Sequence, residues 1–307
     1  MKPRFTSNTA ALLILACALL ALPSGMASDA AAPAQGDVKP FLKSPFLLGA
    51  HRGGSDVWPE NTLDAFREAA NRFPGILLET DARLTVDGAI VLMHDGTVDR
   101  TTDGTGAISG LTFEQIRALD AGYRFSLDGG QTFPYRGKGL KVPTLEELLT
   151  ALPDARLLVE FKGGAELAEA GIAAIRKANA IDRVLIASFK PETMARVRGI
   201  APEIATCFDF ADGVALLNAL RANAWDSYTP TSEVLSLDEG MLPQFKLTPT
   251  DLQAIRSKGI RIQLHTINER ARILEVLGWG VDSILSDKPD ILAEAIAEWQ
   301  AKQHSAE

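Results

Sequence analysis

The chain has 307 residues, of which 46% are hydrophobic and 23% charged, with a net charge of −8. That composition supports a large buried core, and Gly and Pro are too sparse for a fibrous or disordered class. No basic run occurs, which argues against nucleic acid as a partner, because a phosphate backbone demands a positive face.

In chain order, the first segment reads as a leader. Lys2 and Arg4 precede an apolar block from Ala10 to Leu22, and Gly25-Met26-Ala27 offers the small residues that a signal peptidase reads. The block is too short to span a bilayer easily. A signal peptide over 1–27, cleaved after Ala27, predicts a periplasmic protein with no stable membrane insertion. A lipid anchor on Cys17 is disfavoured, since Leu15 is bulky where a lipobox prefers a small residue and the apolar block runs on past the cysteine. Cleavage removes Lys2 and Arg4 and takes the net charge from −8 to −10. It also leaves Cys207 alone, so no internal disulfide forms and core burial must hold the fold. Residues 28–40, rich in Ala and Pro, read as a flexible lead-in to one domain over 41–307.

Short β-rich runs then alternate with amphipathic stretches. Strands are predicted at Phe46 to Ala50, Ile76 to Asp81, Arg156 to Phe161, Val184 to Ser188, Ile204 to Phe208, weakly at Ser227 to Thr231, and at Ile260 to Leu264 and Ser283 to Ser286. Helices are predicted between them, the last from Pro289 to Lys302. Several have capping residues at their starts, as in Asn61-Thr62 and in Thr144 with Glu147 three residues on. This alternation predicts parallel strands joined by helices, either a (β/α)₈ TIM barrel or a doubly wound open sheet. Polar residues close nearly every strand: His51-Arg52, Glu79 and Asp81, Glu160 and Lys162, Ser188, Asp209, His265, Asp287. A barrel builds its site from many strand ends on one rim, whereas an open sheet concentrates it at one switch point, so the pattern favours the barrel.

One segment breaks the rhythm. Roughly sixty residues separate the second strand from the helix at Leu145, far more than a plain barrel loop. They predict an insertion at about 90–140 that begins with a strand from Ile90 to Met93, carries a short helix at Thr112 to Leu119, and brings His94 over the rim.

Glu79 and Asp81 are two apart on one strand and so leave on the same face, while Glu160 ends another strand. Any one acid alone reads more simply as a helix cap or an ion-pair partner. Three converging carboxylates repel one another unless a cation neutralises them, and oxygen ligands suit Mg²⁺ or Ca²⁺ rather than Zn²⁺. Of four histidines, His51 and His94 follow apolar runs and could serve as a proton-transfer pair, with structural or ligand roles as the alternatives for each alone. Arg52 beside Gly53-Gly54 suggests an anion site, where a guanidinium grips phosphate and glycines let backbone approach.

The stretches "GAHRGGSDVWPENTLDAF", "ETDARLTVDGAIVLMHDGTVDRTTDGTG", "PTLEELL", "LLVEFKG", "VLIASF" and "GVDSILSDKPDIL" follow one another from residue 49 to about 292. Together they resemble the glycerophosphodiester phosphodiesterase family, bacterial and secreted or periplasmic in type. The resemblance implies a barrel with an insertion after its second strand, one divalent cation, and hydrolysis of a small-molecule glycerophosphodiester to glycerol phosphate and an alcohol. It implies His51 and His94 as the acid/base pair, Glu79, Asp81 and Glu160 as metal ligands, and Arg52 and Lys162 as phosphate-binding groups. By the same resemblance Glu60 orients site groups, while capping is the preferred reading for Asn61 and Thr62. The attacker implied is the neighbouring hydroxyl of the substrate's own glycerol, giving a cyclic phosphate that water opens. One departure stands out: where family members often read Trp-Thr-Val-Asn, this chain has His265-Thr266-Ile267-Asn268, which leaves the shape of the alcohol pocket open, with substrate contact and a purely structural role as the two readings of His265. Two alternatives stay open. Cleavage of a lysophospholipid headgroup would need an exposed apolar entrance, for which Phe125, Phe133 and Tyr135 are candidates. Capture of a phosphodiester without cleavage would need two hinged domains, and no such boundary is visible.

Overall fold

The computed structural model describes residues 38–222 and 224–305. The leader expected at 1–27 and most of the lead-in expected at 28–40 lie outside the described residues.

Eight parallel strands form the barrel wall. In chain order they are β1 (Leu48–Ala50), β2 (Leu77–Leu84), β4 (Arg156–Phe161), β5 (Val184–Ala187), β6 (Ala205–Thr206), β7 (Val234–Asp238), β8 (Arg261–His265) and β9 (Ser283–Ser286). Their order in the sheet is β6-β5-β4-β2-β1-β9-β8-β7. A parallel bridge between Cys207 and Val234 joins its two ends and closes the barrel. The helices α1 (Leu63–Arg72), α3 (Leu145–Ala151), α4 (Ala165–Lys177), α5 (Pro191–Ile200), α6 (Phe210–Arg221), α8 (Pro249–Ser257) and α9 (Arg270–Leu277) connect successive wall strands, α10 (Pro289–His304) follows the last of them, and the single turn α7 (Met241–Gln244) follows β7.

Period-two alternation sorts the strand residues. Leu78, Ala82, Leu157, Val159, Phe161 and Ile186 face the helices, while Leu77, Leu158, Leu185, Ala205, Cys207, Val234 and Leu285 fill the barrel floor. Phe41 and Phe46, ring centroids 5.5 Å apart, plug the bottom. With its floor packed, the barrel leaves only the C-terminal rim for chemistry.

Two elements differ from the sequence reading. The seventh strand is Val234–Asp238 rather than Ser227 to Thr231. Pro230 has no N–H for a ladder, and Tyr228 instead stacks on Trp225 at 5.6 Å in the preceding loop. Asp209 and Ser188 end strands but do not enter the mouth. Asp209 caps α6 through the Asp212 N–H and pairs with Arg198, and Ser188 donates to the Phe161 carbonyl.

The insertion grows out of β2. That strand outruns its barrel neighbour, turns at Thr85–Ala89, and returns as the antiparallel β3 (Ile90–Leu92). Met93 N–H then donates to the Asp81 carbonyl at 2.8 Å, so the returning chain delivers His94 beside the strand that carries the acids. The short helix α2 (Phe113–Ala118) packs Ile116 against Val91, Val98, Ile108 and Val142 in a small core of its own. Phe125 packs edge-on to Tyr135 at 5.4 Å, and Arg136 lies 3.8 Å over the Phe133 ring. Those aromatics thus hold the insertion together rather than opening an apolar entrance. Among the described residues no helix is long and apolar enough to cross a membrane.

Candidate active site

Register brings the acids together. Asp81 on β2 is the direct neighbour of Glu160 on β4, and Glu79 lies one alternation below on the same inward face. Their carboxylate oxygens come within 4.8 Å of one another. Asp81 is ringed by donors: Lys162 Nζ at 3.1 Å, Arg52 Nε at 3.6 Å and Asn61 Nδ2 at 3.1 Å. Burial works against its charge, but Lys162, Arg52 and His94 outweigh that penalty and hold its pKa below the usual carboxylate range. Glu160 accepts from Lys162 at 2.7 Å.

Glu79 is treated differently. Its only hydrogen bond among the described residues is the Arg52 N–H at 2.7 Å, and His51 Nε2 stands 3.9 Å away. Burial first, then the neighbouring Asp81, pushes its carboxyl up to about 7. Lys162 and Arg52 are engaged with Asp81, Glu160 and Glu60, so Glu79 is the carboxylate short of a counter-charge. A hard cation among these three oxygens would supply it, and the donor set suits one.

The turn after β1 carries Arg52 into the mouth. Arg52, Gly53 and Gly54 all have left-handed backbone, at φ 51°, 82° and 98°. A Cβ at Gly54 would come within 3.0 Å of Trp58 and 3.1 Å of Pro289, so glycine is needed there. The tight turn aims the Arg52 N–H at Glu79 and its guanidinium at Glu60, Nη1 to Oε1 at 3.3 Å. Arg52 Nε is buried with no hydrogen-bond partner among the described residues, a donor left over for a ligand oxygen.

Each histidine leans on an acid. His51 Nδ1 lies 2.6 Å from Asp287 Oδ1, and Asp287 also accepts from Ser55 Oγ at 2.5 Å and Asn268 Nδ2 at 2.7 Å. His94 Nδ1 lies 2.8 Å from Asp95 Oδ1, and Arg83 anchors the His94 carbonyl at 2.6 and 3.0 Å. With Nδ1 committed to a carboxylate, Nε2 is the nitrogen left to exchange protons in both rings. Burial opposes a proton on His51, but Glu79 and the Asp287 hydrogen bond prevail and raise its pKa. Burial prevails at His94 and lowers it.

Sequence reasoning missed three members of this network. Asp287 was visible only as a polar strand end, and Asp95 only as the partner letter of His94. Asn61 was assigned to capping, yet it sits at φ 55° and bonds Asp81 and Thr80, while Thr62 alone caps α1 through the Ala65 N–H. A left-handed Asn cannot serve as an ordinary extended cap.

His265 sits at the end of β8, half-buried at the mouth. Ser236 spends its one proton on Gln263 Oε1 at 2.9 Å, so His265 Nδ1, 3.1 Å from Ser236 Oγ, must be the donor there. Nε2 is then an acceptor without an intramolecular partner among the described residues. Burial, with His51, Lys162 and Arg52 nearby, pushes its pKa down to about 3, so it is neutral and cannot serve as an acid.

Buried acids suited to a hard ion, a cationic donor left over for an anion, and two imidazoles at a barrel mouth define an acid–base enzyme for phosphate esters. Comparison with known proteins narrows the class. Residues 51–291 match the profile of the Glycerophosphoryl diester phosphodiesterase family, so the chain belongs to that family. It is 32% identical over 295 residues to a glycerophosphodiester phosphodiesterase of Bacillus subtilis, covering 89% of this chain and 95% of that one. A Caldanaerobacter subterraneus enzyme of the same name is 32% identical over 258 residues, covering 81% and 97%. An Oleispira antarctica phosphodiesterase, solved in complex with its product sn-glycerol-3-phosphate, superposes with a TM-score of 0.67 at 26% identity, covering 82% of this chain and 97% of that one.

Proposed function

We propose that this chain hydrolyses glycerophosphodiesters to glycerol 3-phosphate and an alcohol, using one divalent cation, Mg²⁺ or Ca²⁺, held by Glu79, Asp81 and Glu160. The observation that carries the reading is the meeting of those carboxylates within 4.8 Å beside His51 and His94, in a chain of this family. When bound, the ion supplies positive charge to the phosphoryl oxygens. Arg52 and Lys162 add fixed positive groups to match the charge that builds on those oxygens.

The opposite pKa directions of the histidines suggest their first roles. Neutral His94 takes the proton from the attacking glycerol hydroxyl as its oxygen bonds to phosphorus. Protonated His51 gives its proton to the departing alkoxide as the other P–O bond breaks. A bound cation would cover the charge of Glu79, and the Asp287 contact would still favour the proton on His51. Water then opens the cyclic phosphate with the histidines in exchanged roles.

A lysophospholipid substrate has one observation in its favour. Phe189 and Phe210, at the outlets of β5 and β6, are 52% and 41% exposed on the rim. Purified protein with Mg²⁺ or Ca²⁺ should release glycerol 3-phosphate from glycerophosphocholine, and excess chelator should stop it. Release of choline from lysophosphatidylcholine alone would favour the second substrate, and no release from either would end both readings. Export to the periplasm is proposed on the leader alone, and N-terminal sequencing of the mature protein should read from Ser28.

A further inference from the structure

We propose that Arg100, in the insertion, is a positioning residue for both sides of the reaction, setting His94 through Asp95 and Arg52 through Glu60. The inference rests on the function proposed above and goes beyond it.

One guanidinium spans two carboxylates. Arg100 Nη1 and Nη2 donate to Glu60 at 2.6 and 2.8 Å, a paired contact across 40 residues of chain. Its Nε and Nη2 donate to Asp95 at 2.7 and 3.3 Å. Neither acid ends there. Asp95 holds His94 Nδ1, and Glu60 holds Arg52 Nη1. A single side chain therefore fixes the ring that moves a proton and the guanidinium that would grip the phosphate. Only a planar fork with separated N–H vectors can meet both acids at once, which a lysine ammonium cannot do.

The backbone that presents Arg100 is itself pinned. Val98 is buried, and its N–H donates to the Gly106 carbonyl at 3.1 Å. Thr102 is fully buried, donates to the Val98 carbonyl at 2.7 Å and accepts from the Gly104 N–H at 3.0 Å. Asp99 accepts from the Gly106 N–H at 2.9 Å. The loop is built to hold one arginine in place, although that arginine's side chain remains 46% exposed. A surface ion pair of that exposure contributes little stability, so its geometry is better explained by what lies behind the acids.

Arg100→Ala, Arg100→Lys and Arg117→Ala test this. Arg117, elsewhere in the insertion, pairs with Glu147 of α3 and serves as a control for merely fastening the segment. With glycerophosphocholine and Mg²⁺, Arg100→Ala should lower kcat about 10-fold and raise KM about 10-fold, and Arg100→Lys should restore less than half of the loss, while Arg117→Ala stays near wild type. In an Asp95→Asn, Glu60→Gln background, Arg100→Ala should have little further effect, because its route is already cut. Should the wild type lack activity, the functional reading fails, but proton NMR titration of the histidines still reports on Arg100. His94 faces Asp81, Asp95, Arg52 and Lys162, and loss of Arg100 should raise its midpoint as Asp95 turns wholly to it. Unchanged kinetics and an unchanged His94 midpoint in Arg100→Ala would overturn the proposal, as would a full additive loss in the double-acid background.

Discussion

His51 and His94 face one mouth from unlike supports. His51 follows a barrel strand, its side chain only 14% exposed, and its acid Asp287 is itself gripped by Ser55 and Asn268 from the frame. His94 arrives on the insertion, 35% exposed, and its acid Asp95 depends on one arginine from the same loop. The frame-built histidine is tuned toward its charged form and the insertion-built one toward its neutral form. Mixed support thus biases the two imidazoles of one barrel in opposite directions.

The largest test of that comparison removes each ring. His51→Ala and His94→Ala should each lower turnover by about 10² to 10⁴ fold, measured as glycerol 3-phosphate release. Wild-type turnover in either would remove that ring from the chemistry. Replacing the supporting acids should separate the two sides. Asp287→Asn and Asp95→Asn should each cost about 10- to 100-fold in kcat. Asp287→Asn should also move the alkaline limb of the kcat/KM profile to lower pH, because the contact that keeps the proton on His51 is gone. Asp95→Asn should move the acidic limb to lower pH, because His94 then loses a proton more easily. The wild-type plateau should bracket the ordinary histidine value of 6.5, rising through His94 and falling through His51. A profile with both limbs on the same side of that value would contradict the assignment.

A smaller effect concerns stability. Without a cation, Glu79 has a folded pKa of about 7 against an ordinary 4.5. The folded state then binds more protons than the unfolded one between those values, so stability is fully present below about 4.5 and is lost as pH rises toward 7. This contribution should lower the thermal midpoint of chelated protein as pH rises from 4.5 to 8. Glu79→Gln should flatten that slope, and a slope unchanged by the substitution would assign it to other groups. The smallest change expected is for His265→Trp. Its Nε2 acceptor meets no donor among the described residues, so KM should move by less than about 10-fold with kcat nearly unaffected.

The same contrast explains what could be read from the sequence. Frame residues were legible because a repeating pattern places them: strand alternation puts Glu79 and Asp81 on one face, and the order of barrel strands sets Glu160 beside Asp81. Of the insertion, its existence and its delivery of His94 were legible from its length and from the strand that opens it, but its internal contacts were not. Asp95 and Arg100 gain meaning through Glu60, across a chain separation that no local pattern reports. The seventh strand was misplaced for a related reason: Tyr228 and Thr229 carry β-propensity, but the ladder is decided by Pro230 and by where Cys207 finds Val234. Asn61 was misread because its left-handed turn is set by the Arg52 carbonyl, which accepts the Asn61 N–H at 2.9 Å, and not by the helix that follows.

The most direct test of the account is the number of divalent ions bound per chain, by calorimetric titration of chelator-stripped protein with Mg²⁺ and with Ca²⁺. The account predicts one ion at this site in the wild type, and none there when Glu79, Asp81 and Glu160 are changed together to Gln, Asn and Gln. Binding that persists undiminished in the triple variant, or a wild type that binds no ion yet turns over substrate, would contradict it.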